Sequence, residues 1–566
     1  MTHRIRNLAA GRRVAAILGT MAGALVVAGT LAASAQTVPP YLSNFPNFAR
    51  TLTAQMPGDV DVALKTTLEQ NGRFAEVQRE FDLNAWQMFL ALNWPTNNQR
   101  QPAPTIRPTG FGAPHWTTWQ SSSSIFQDKG APPAVCGAAT AGAPLLALSR
   151  DLSKPVSKGL PAFTLQANQT LNPRTTRLLG VISAVGELNV GNIDDIQQAF
   201  SGPLVDQFGN FVFYEILIDP NEVKYLCDNK LYSIDGQIAF SNAGKKVDMP
   251  SGQENQDWSG SFELKLAWRV MKPCDPAKPD DPCDDMSRFF VADALIMDQG
   301  ENGQPVQRSV KVGLVGMHIA HKTNISPQWI WATFEQVDNL SVDTVAHPKL
   351  HASFNDPNCP LCAVNMQPQP LLGGPANPHK VYSRIPVQVS RTIPIPADKA
   401  ALNAQAAAVL RSLGSVWQYY QLIDTQWPIN PKSPPAASDG GLPDAVANKS
   451  GGVPTPVWLT NVTMETYFQA GNQPACRNVE DRPPGCPPVY NKQPPGTAIA
   501  AYTPVPAWWN EAFNNGPTPV KPGTTTQILA TESCMGCHSS AYINTASGKS
   551  VQLSGDFSWL LATKAQ

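Results

Sequence analysis

The quintet Cys534-Met535-Gly536-Cys537-His538 stands 28 residues from the end of a 566-residue chain, and its position constrains the fold more than any other feature. Cys-x-x-Cys-His is the attachment signal of a c-type haem. Two thiols three positions apart on one helical turn can each form a thioether to a vinyl group. The adjoining His538 then reaches under the macrocycle as proximal iron ligand. A surface disulfide followed by an unrelated His is the competing reading. None of the residues after His538 is Met or His. A pocket of this kind cannot close as a small module at the end of the chain. Its walls, and any sixth protein ligand to the iron, must come from upstream, from 457–533 and the core before it.

The N-terminus reads as an export signal. Arg4, Arg6, Arg12 and Arg13 precede an apolar run from Val14 to Ala32, which ends in Ala33-Ser34-Ala35 before Gln36. That is the order of a secretory leader covering residues 1–35, cleaved after Ala35. A retained anchor competes, because the run is long enough to span a bilayer. Gly19, Gly23, Gly29 and the small-x-small site favour cleavage. The residues around Arg12-Arg13 do not support twin-arginine export. No later stretch is apolar enough to span, so the mature chain is expected to be soluble, with no membrane span, and periplasmic or secreted. Removing the leader takes away four Arg and no acid, moving the net charge from −1 to about −5. That balance is too acidic for a nucleic-acid partner and too mild to imply disorder.

Cysteine usage agrees with an oxidising compartment. Of ten Cys, two belong to the quintet and eight remain to pair. Cys274 and Cys283 bracket a Pro/Asp-rich loop, and Cys476 and Cys486 bracket another. Cys136 and Cys227 are left for a long-range bridge. Cys359-Pro360-Leu361-Cys362 reads as a tight disulfide. The alternatives are a redox-active pair, which no thioredoxin-like pattern supports, and a zinc tetrad completed by His347 and His351.

With 53 Pro, 40 Gly and 15% charged residues, the chain is loop-rich. A helical pattern runs from Phe74 through Phe81, Trp86, Phe89 and Leu90 to Trp94-Pro95. Residues 96–135 read as long loops. Strand signals follow at Phe211–Ile218, Phe262–Met271, Val310–Ile319 and Trp329–Val337. In the second of these, Phe262, Leu264, Leu266, Trp268 and Val270 share one face. A helix is expected at Ala397–Leu413 and a strand through Trp417-Gln418-Tyr419-Tyr420. Residues 431–456, dense in Pro, Gly, Ser and Ala, form the best linker. The expected fold is α+β: a mostly antiparallel β core with long loops and a few helices. A β-rich region over 36–430 is joined by the linker to a haem-bearing segment, 457–566, built against the upstream chain. Asp556-Phe557-Ser558-Trp559-Leu560-Leu561 reads as a short terminal helix.

Met464 is the Met of the C-terminal segment outside the quintet and the first candidate sixth ligand, against its ordinary role as core filler. His318, His321, His347, His351 and His379 are weaker candidates. On a strand, His318 and His321 point to opposite faces. An open iron position is the other case. An axial Met closes the iron to substrates, whereas an open position admits small-molecule chemistry. Asp280, Asp281, Asp284 and Asp285 around Cys283 lack the Gly-punctuated spacing of an EF-hand and read as a solvated loop rather than a calcium site.

The quintet resembles that of the c-type cytochromes. Ala85–Pro95, Trp329–Glu335 and Ser533–Ala541 are similar in texture to large monohaem proteins secreted by bacteria. The resemblance implies one covalently attached haem c, held by Cys534, Cys537 and His538. The expected function is electron transfer with redox partner proteins. The alternative is a haem-dependent redox enzyme, peroxidase- or oxygenase-like, with a small-molecule substrate held in the large region. The long N-terminal region departs from the small cytochromes and weakens simple electron shuttling.

Overall fold

Helix α1 (Val62–Gln70) starts at Asp61, whose carboxylate accepts from the Leu64 amide at 2.8 Å and so caps the first turn. Helix α2 (Phe74–Asn93) stops where Trp94 turns extended before Pro95, a residue that biases its predecessor away from helical geometry. Its apolar side is the one the spacing specifies. Phe89 stacks on Phe334 at 4.1 Å, Trp86 meets Phe334 edge-on at 5.0 Å, and Phe81 stacks on Trp427 at 4.5 Å. These come from a computed structural model that describes residues 52–137, Thr164, 171–180, 202–371, 381–428, 459–469 and 534–566, with short interruptions. The leader, the 431–456 linker, the Cys476/Cys486 staple, His347 and His379 lie outside the described residues. Among the described residues, no helix is long and apolar enough to cross a membrane.

The fold is α+β around a mostly antiparallel sheet. Its strands are β1 (Gln120–Ser121), β2 (Thr176–Gly180), β3 (Val212–Ile218), β4 (Phe262–Val270), β5 (Val291–Gln299), β6 (Pro305–His321), β7 (Ile330–Gln336) and β8 (Tyr420–Gln426). The order is β8-β7-β6-β4-β3-β1. Strand β6, 17 residues long, pairs with β4 along one edge, while its other edge divides between β5 and β7. β2 joins β5 in the one parallel pair of this sheet. One face of β4 carries Phe262, Leu264, Leu266 and Trp268 into the main core beneath α2, as the alternation requires. From Ala267 onward both faces are buried. Arg269, fully buried on the second face, is neutralised by Asp206 at 3.4 Å and by Asp284.

That pairing corrects the reading of the acidic loop. Asp284 is buried against Arg269 and His351, while Asp281 and Asp285 stay exposed. Sequence spacing saw four acids; the buried guanidinium that needed one of them was 15 residues away. Disulfides join Cys136 to Cys227, Cys274 to Cys283 and Cys359 to Cys362. The last removes the thiolates a zinc tetrad would need. A second correction falls at Trp417-Gln418-Tyr419-Tyr420. Val416–Tyr419 is a 3₁₀ turn begun by Ser415, whose hydroxyl accepts from the Trp417 amide, and β8 starts at Tyr420. The turn drives Trp417 between Phe89 and Phe290, which a strand would not do. Helix α3 (Pro220–Asp228) is opened by the Asp219 carboxylate and by Pro220 in its first turn.

The segment 459–467 lies on the second face of the sheet. Tyr214 Oη donates to the Thr463 carbonyl at 2.6 Å, Asn461 Nδ2 to Thr333 Oγ1 at 2.8 Å, and the Val462 amide to Glu335 Oε1 at 2.8 Å. Gly316 on β6 permits this approach. A Cβ there would stand 2.2 Å from Thr463 Oγ1 and 3.0 Å from Asn461 Oδ1. Gly316→Ala should therefore destabilise the protein by about 1–3 kcal/mol, the usual cost of overpacking. Thr463→Ala in the same chain should recover part of the loss in denaturant titrations. Equal stability of Gly316→Ala and the parent would mean that the segment does not dock here.

Candidate functional site

Cys534–His538 forms one helical turn, α4, ended by a hydrogen bond from the Ala541 amide to the His538 carbonyl. Met535, fully buried, anchors the turn in a second apolar cluster with Ile218, Trp331, Ile543, Phe557 and Leu561. Its amide donates to Gln426 Oε1 at the end of β8, 3.2 Å away. Cys534 is half-buried beside the Leu459 carbonyl. The side chain of Cys537 lies outside the described residues. The quintet therefore sits on the second face of the sheet, against upstream chain, as its late position requires.

The imidazole of His538 lies against Trp331, ring centroids 4.4 Å apart at 48°. Its Nδ1 is 2.7 Å from the Phe557 carbonyl oxygen. A carbonyl only accepts, so Nδ1 carries the proton and Nε2 presents its lone pair. Burial pulls the pKa of His538 down to about 4, against the opposing pull of the Phe557 carbonyl. His318 and Lys265 push in the same direction as burial, and Glu465 against it. At neutral pH the ring is uncharged and Nε2 could hold a metal ion.

The Phe557 carbonyl is aimed by a strained turn. Strands β9 (Tyr542–Ile543) and β10 (Leu553–Ser554) pair, and Gly555–Ser558 follows, closed by Ser558 N to Gly555 O at 3.0 Å. Asp556 and Phe557 have φ of 53° and 67°, the signature of a type I′ turn. Such a turn favours Asn-Gly, and left-handed backbone costs a non-glycine residue roughly 1–3 kcal/mol. The expected helix over 556–561 thus begins later, as α5 (Trp559–Thr563), because 556–557 turn the other way. What holds the turn is Asp556. Its Oδ2 accepts from Lys322 Nζ and from the Met249 amide, each at 2.6 Å. Lys322 is 3% exposed and also meets Asp248 at 2.5 Å.

Beside His538 the sheet carries a polar row. Ile216, Lys265 and His318 are cross-strand neighbours on β3, β4 and β6. Each is half-buried, while Tyr214, Ile218, Ala267, Gly316 and Ala320 on the same face are buried, so this row is the accessible strip of the second face. His318 Nε2 is 2.8 Å from Glu465 Oε1, and Lys265 Nζ stands 5.2 Å over the Tyr214 ring. Burial would raise the Glu465 carboxyl, but His318, Lys265 and the Asn461 amide hold it below the usual range. The arrangement offers a neutral imidazole nitrogen, an acid–base pair and a cation on one face of the sheet.

Of the expected ligands, His538, Cys534 and His318 lie on the second face of the sheet. Met464 is fully buried in the segment docked on that same face, next to Glu465, and packs with Val462 and Tyr467. His321 faces the opposite side, as a spacing of three on a strand requires. It stacks on Phe262 at 3.8 Å, Nε2 meets the Ser259 carbonyl at 2.6 Å, and burial takes its pKa to about 3. His351 lies with Asp284 and Phe208. Sequence reading missed Trp331, Lys265, Glu465, Lys322 and the Phe557 carbonyl. Alternation on β4 could have placed Lys265 opposite the apolar face, but a backbone carbonyl leaves no signal. No family model, no curated protein and no solved structure matches this chain.

Replacing Lys322 with Met leaves the Asp556 carboxylate buried without its cation. The expected loss is about 3–5 kcal/mol of stability. Adding Asp556→Asn should recover much of it in a double-mutant cycle on chemical unfolding. Additive losses would show that the two groups do not form a pair.

Proposed function

We propose that the chain is an exported monohaem c-type cytochrome, with Cys534 and Cys537 as the thioether anchors of one haem c and His538 as its proximal iron ligand. The observation that carries this reading is the hydrogen bond from His538 Nδ1 to the Phe557 carbonyl. Metal-ligating imidazoles almost always donate their second N–H to such a group, which selects the tautomer and orients the ring. A disulfide followed by an unrelated His gives no reason to spend two left-handed residues on aiming a carbonyl.

A bound haem would supply one-electron redox chemistry at its iron. The chain's own residues do the rest. Trp331, Met535, Phe557 and Leu561 are buried beside the quintet and give it an apolar floor. The Gly555–Ser558 turn fixes the imidazole, and the fold keeps that imidazole neutral. On this reading the protein transfers electrons with redox partner proteins in the periplasm or outside the cell.

A second reading, small-molecule chemistry at an open iron position, is favoured by one observation. The groups within electrostatic reach of His538 are His318, Glu465 and Lys265, which move protons and hold anions. Donors of this kind close to a haem would favour binding and activation of small ligands.

Mass spectrometry of protein matured with the bacterial c-type haem machinery should show one covalently bound haem, lost in Cys534→Ala/Cys537→Ala. His538→Ala should keep the haem mass but change the optical spectrum. Unaltered Met464→Ala spectra together with a response to carbon monoxide would select the second reading. A Met464-dependent far-red band and no response would select the first. Protein that carries no covalent haem would sink both.

A further inference from the structure

Behind the Phe557 carbonyl lies a pair of acids that neither reading uses. Glu222, on α3, is 1% exposed, and Glu263, on β4, is half-buried. The two side chains are in hydrogen-bond contact with each other. Two carboxylates cannot make that bond; one of them must carry a proton. Glu222 Oε2 and Glu263 Oε1 are buried and meet no other donor among the described residues. The surroundings deepen the need for a proton. Asp219 on the loop before α3 and Asp556 on the turn add negative charge. Among the described residues, the buried cation nearby is Lys322, and it is engaged by Asp556 and Asp248. Tyr225, on the same helix as Glu222, receives the Asp248 amide on its oxygen.

We propose that Glu222 and Glu263 share one proton, carried on Glu222, and that this proton is released and rebound with the change of charge at the His538 site. The link is short: Asp556, whose charge bears on both acids, precedes Phe557, whose carbonyl holds His538 Nδ1. Glu263 is also two residues from Lys265 on the same face of β4, and Lys265 already bears on His538. Electron loss at a metal held by His538 adds a positive charge nearby. That charge favours the ionised form of the pair, so one proton leaves as one electron leaves. This proposal rests on the haem reading for the electron and on the chain alone for the proton.

The direction of the shifts supports the assignment. Burial, and then the charges of Glu263 and Asp219, raise Glu222 well above the usual carboxyl range. Burial raises Glu263 as well, and the Ser558 hydroxyl and Glu222 pull it back. The folded chain thus holds a proton that the unfolded chain has already released above about pH 4.5. Stability must fall as pH rises through that window.

The test uses the full mature protein in two arms. In the first, infrared difference spectra between acid and alkaline pH should show a protonated-carboxyl C=O band, absent from Glu222→Gln. The same variant should lose part of the fall in melting temperature between pH 5 and pH 8. If the band and the fall are unchanged, the shared proton is refuted, whatever the metal content. In the second arm, the haem potential of the parent should drop as pH rises, with the slope reduced in Glu222→Gln. A flat potential in the parent, or equal slopes, would refute the link to His538. Should Glu222→Gln not fold, Glu263→Gln on the half-buried partner serves instead, and should remove the same band and flatten both pH dependences. Protein without covalent haem fails the haem reading but leaves the first arm to judge the pair.

Discussion

A lysine ammonium buried to a few per cent exposure must be neutralised, and at Lys322 the neutralising group is Asp556, more than two hundred residues later. That ion pair ties the C-terminal hairpin to the end of β6. Through Asp556 it imposes left-handed backbone on two consecutive non-glycine residues. Through Phe557 it turns one carbonyl onto one imidazole nitrogen. Without a fixed Asp556, the turn would have no reason to keep a conformation that favours Asn-Gly. The imidazole would then be free to choose its tautomer. Backbone strain, a buried ion pair and the protonation of His538 are therefore one construction.

The sheet explains why the quintet can stand so late. One face of β4, β6 and β7 is committed to the apolar core beneath α2, with Leu264, Trp268, Met317 and Phe334 buried there. The other face carries Glu263, Lys265, His318, Thr333 and Glu335, a polar set unsuited to a second α2-like helix. It is met by short segments that bring their own hydrogen-bonding groups. Asn461–Thr463 docks over Gly316 and Thr333, and the 534–566 segment docks over Ile218 and Trp331. The large region is thus a wall of the site rather than a separate module joined to it.

Much of this architecture is legible in sequence, for identifiable reasons. Helix α2 and strands β3, β4, β6 and β7 are expected within a few residues, because each carries an apolar period over many positions. Two of the three disulfides follow from short brackets, and Cys136–Cys227 from elimination within an even cysteine count. The failures have the opposite character. Trp417 sits in a 3₁₀ turn because a serine cap overrode an aromatic run that reads as strand. Asp284 is buried because Arg269 sits at a position of β4 where both faces are covered. The helix at 556–561 starts late because a distant lysine claims Asp556. In each case a single long-range polar partner decided the outcome, and pattern along the chain carries no record of it. The same holds for the site: the quintet is plain in the sequence, and the carbonyl that sets its imidazole is not.

On the haem reading, the choice between carrying electrons and doing chemistry turns on which side chains the fold leaves accessible on the second face. Met464 is fully buried in the segment docked there, whereas His318 is half-buried. Its strand neighbours are buried, it alone in that stretch remains accessible, and Glu465 holds it at 2.8 Å. An electron carrier gains nothing from a half-buried acid–base pair, since partly desolvating polar groups costs free energy. A site that binds a small polar ligand recovers that cost in hydrogen bonds to it. The same reasoning applies to Glu222 and Glu263, whose protonation is tied to burial rather than to any ligand. On the haem reading, His318 with Glu465 on the sheet face and Glu222 with Glu263 between α3 and β4 would couple proton movement to the redox change.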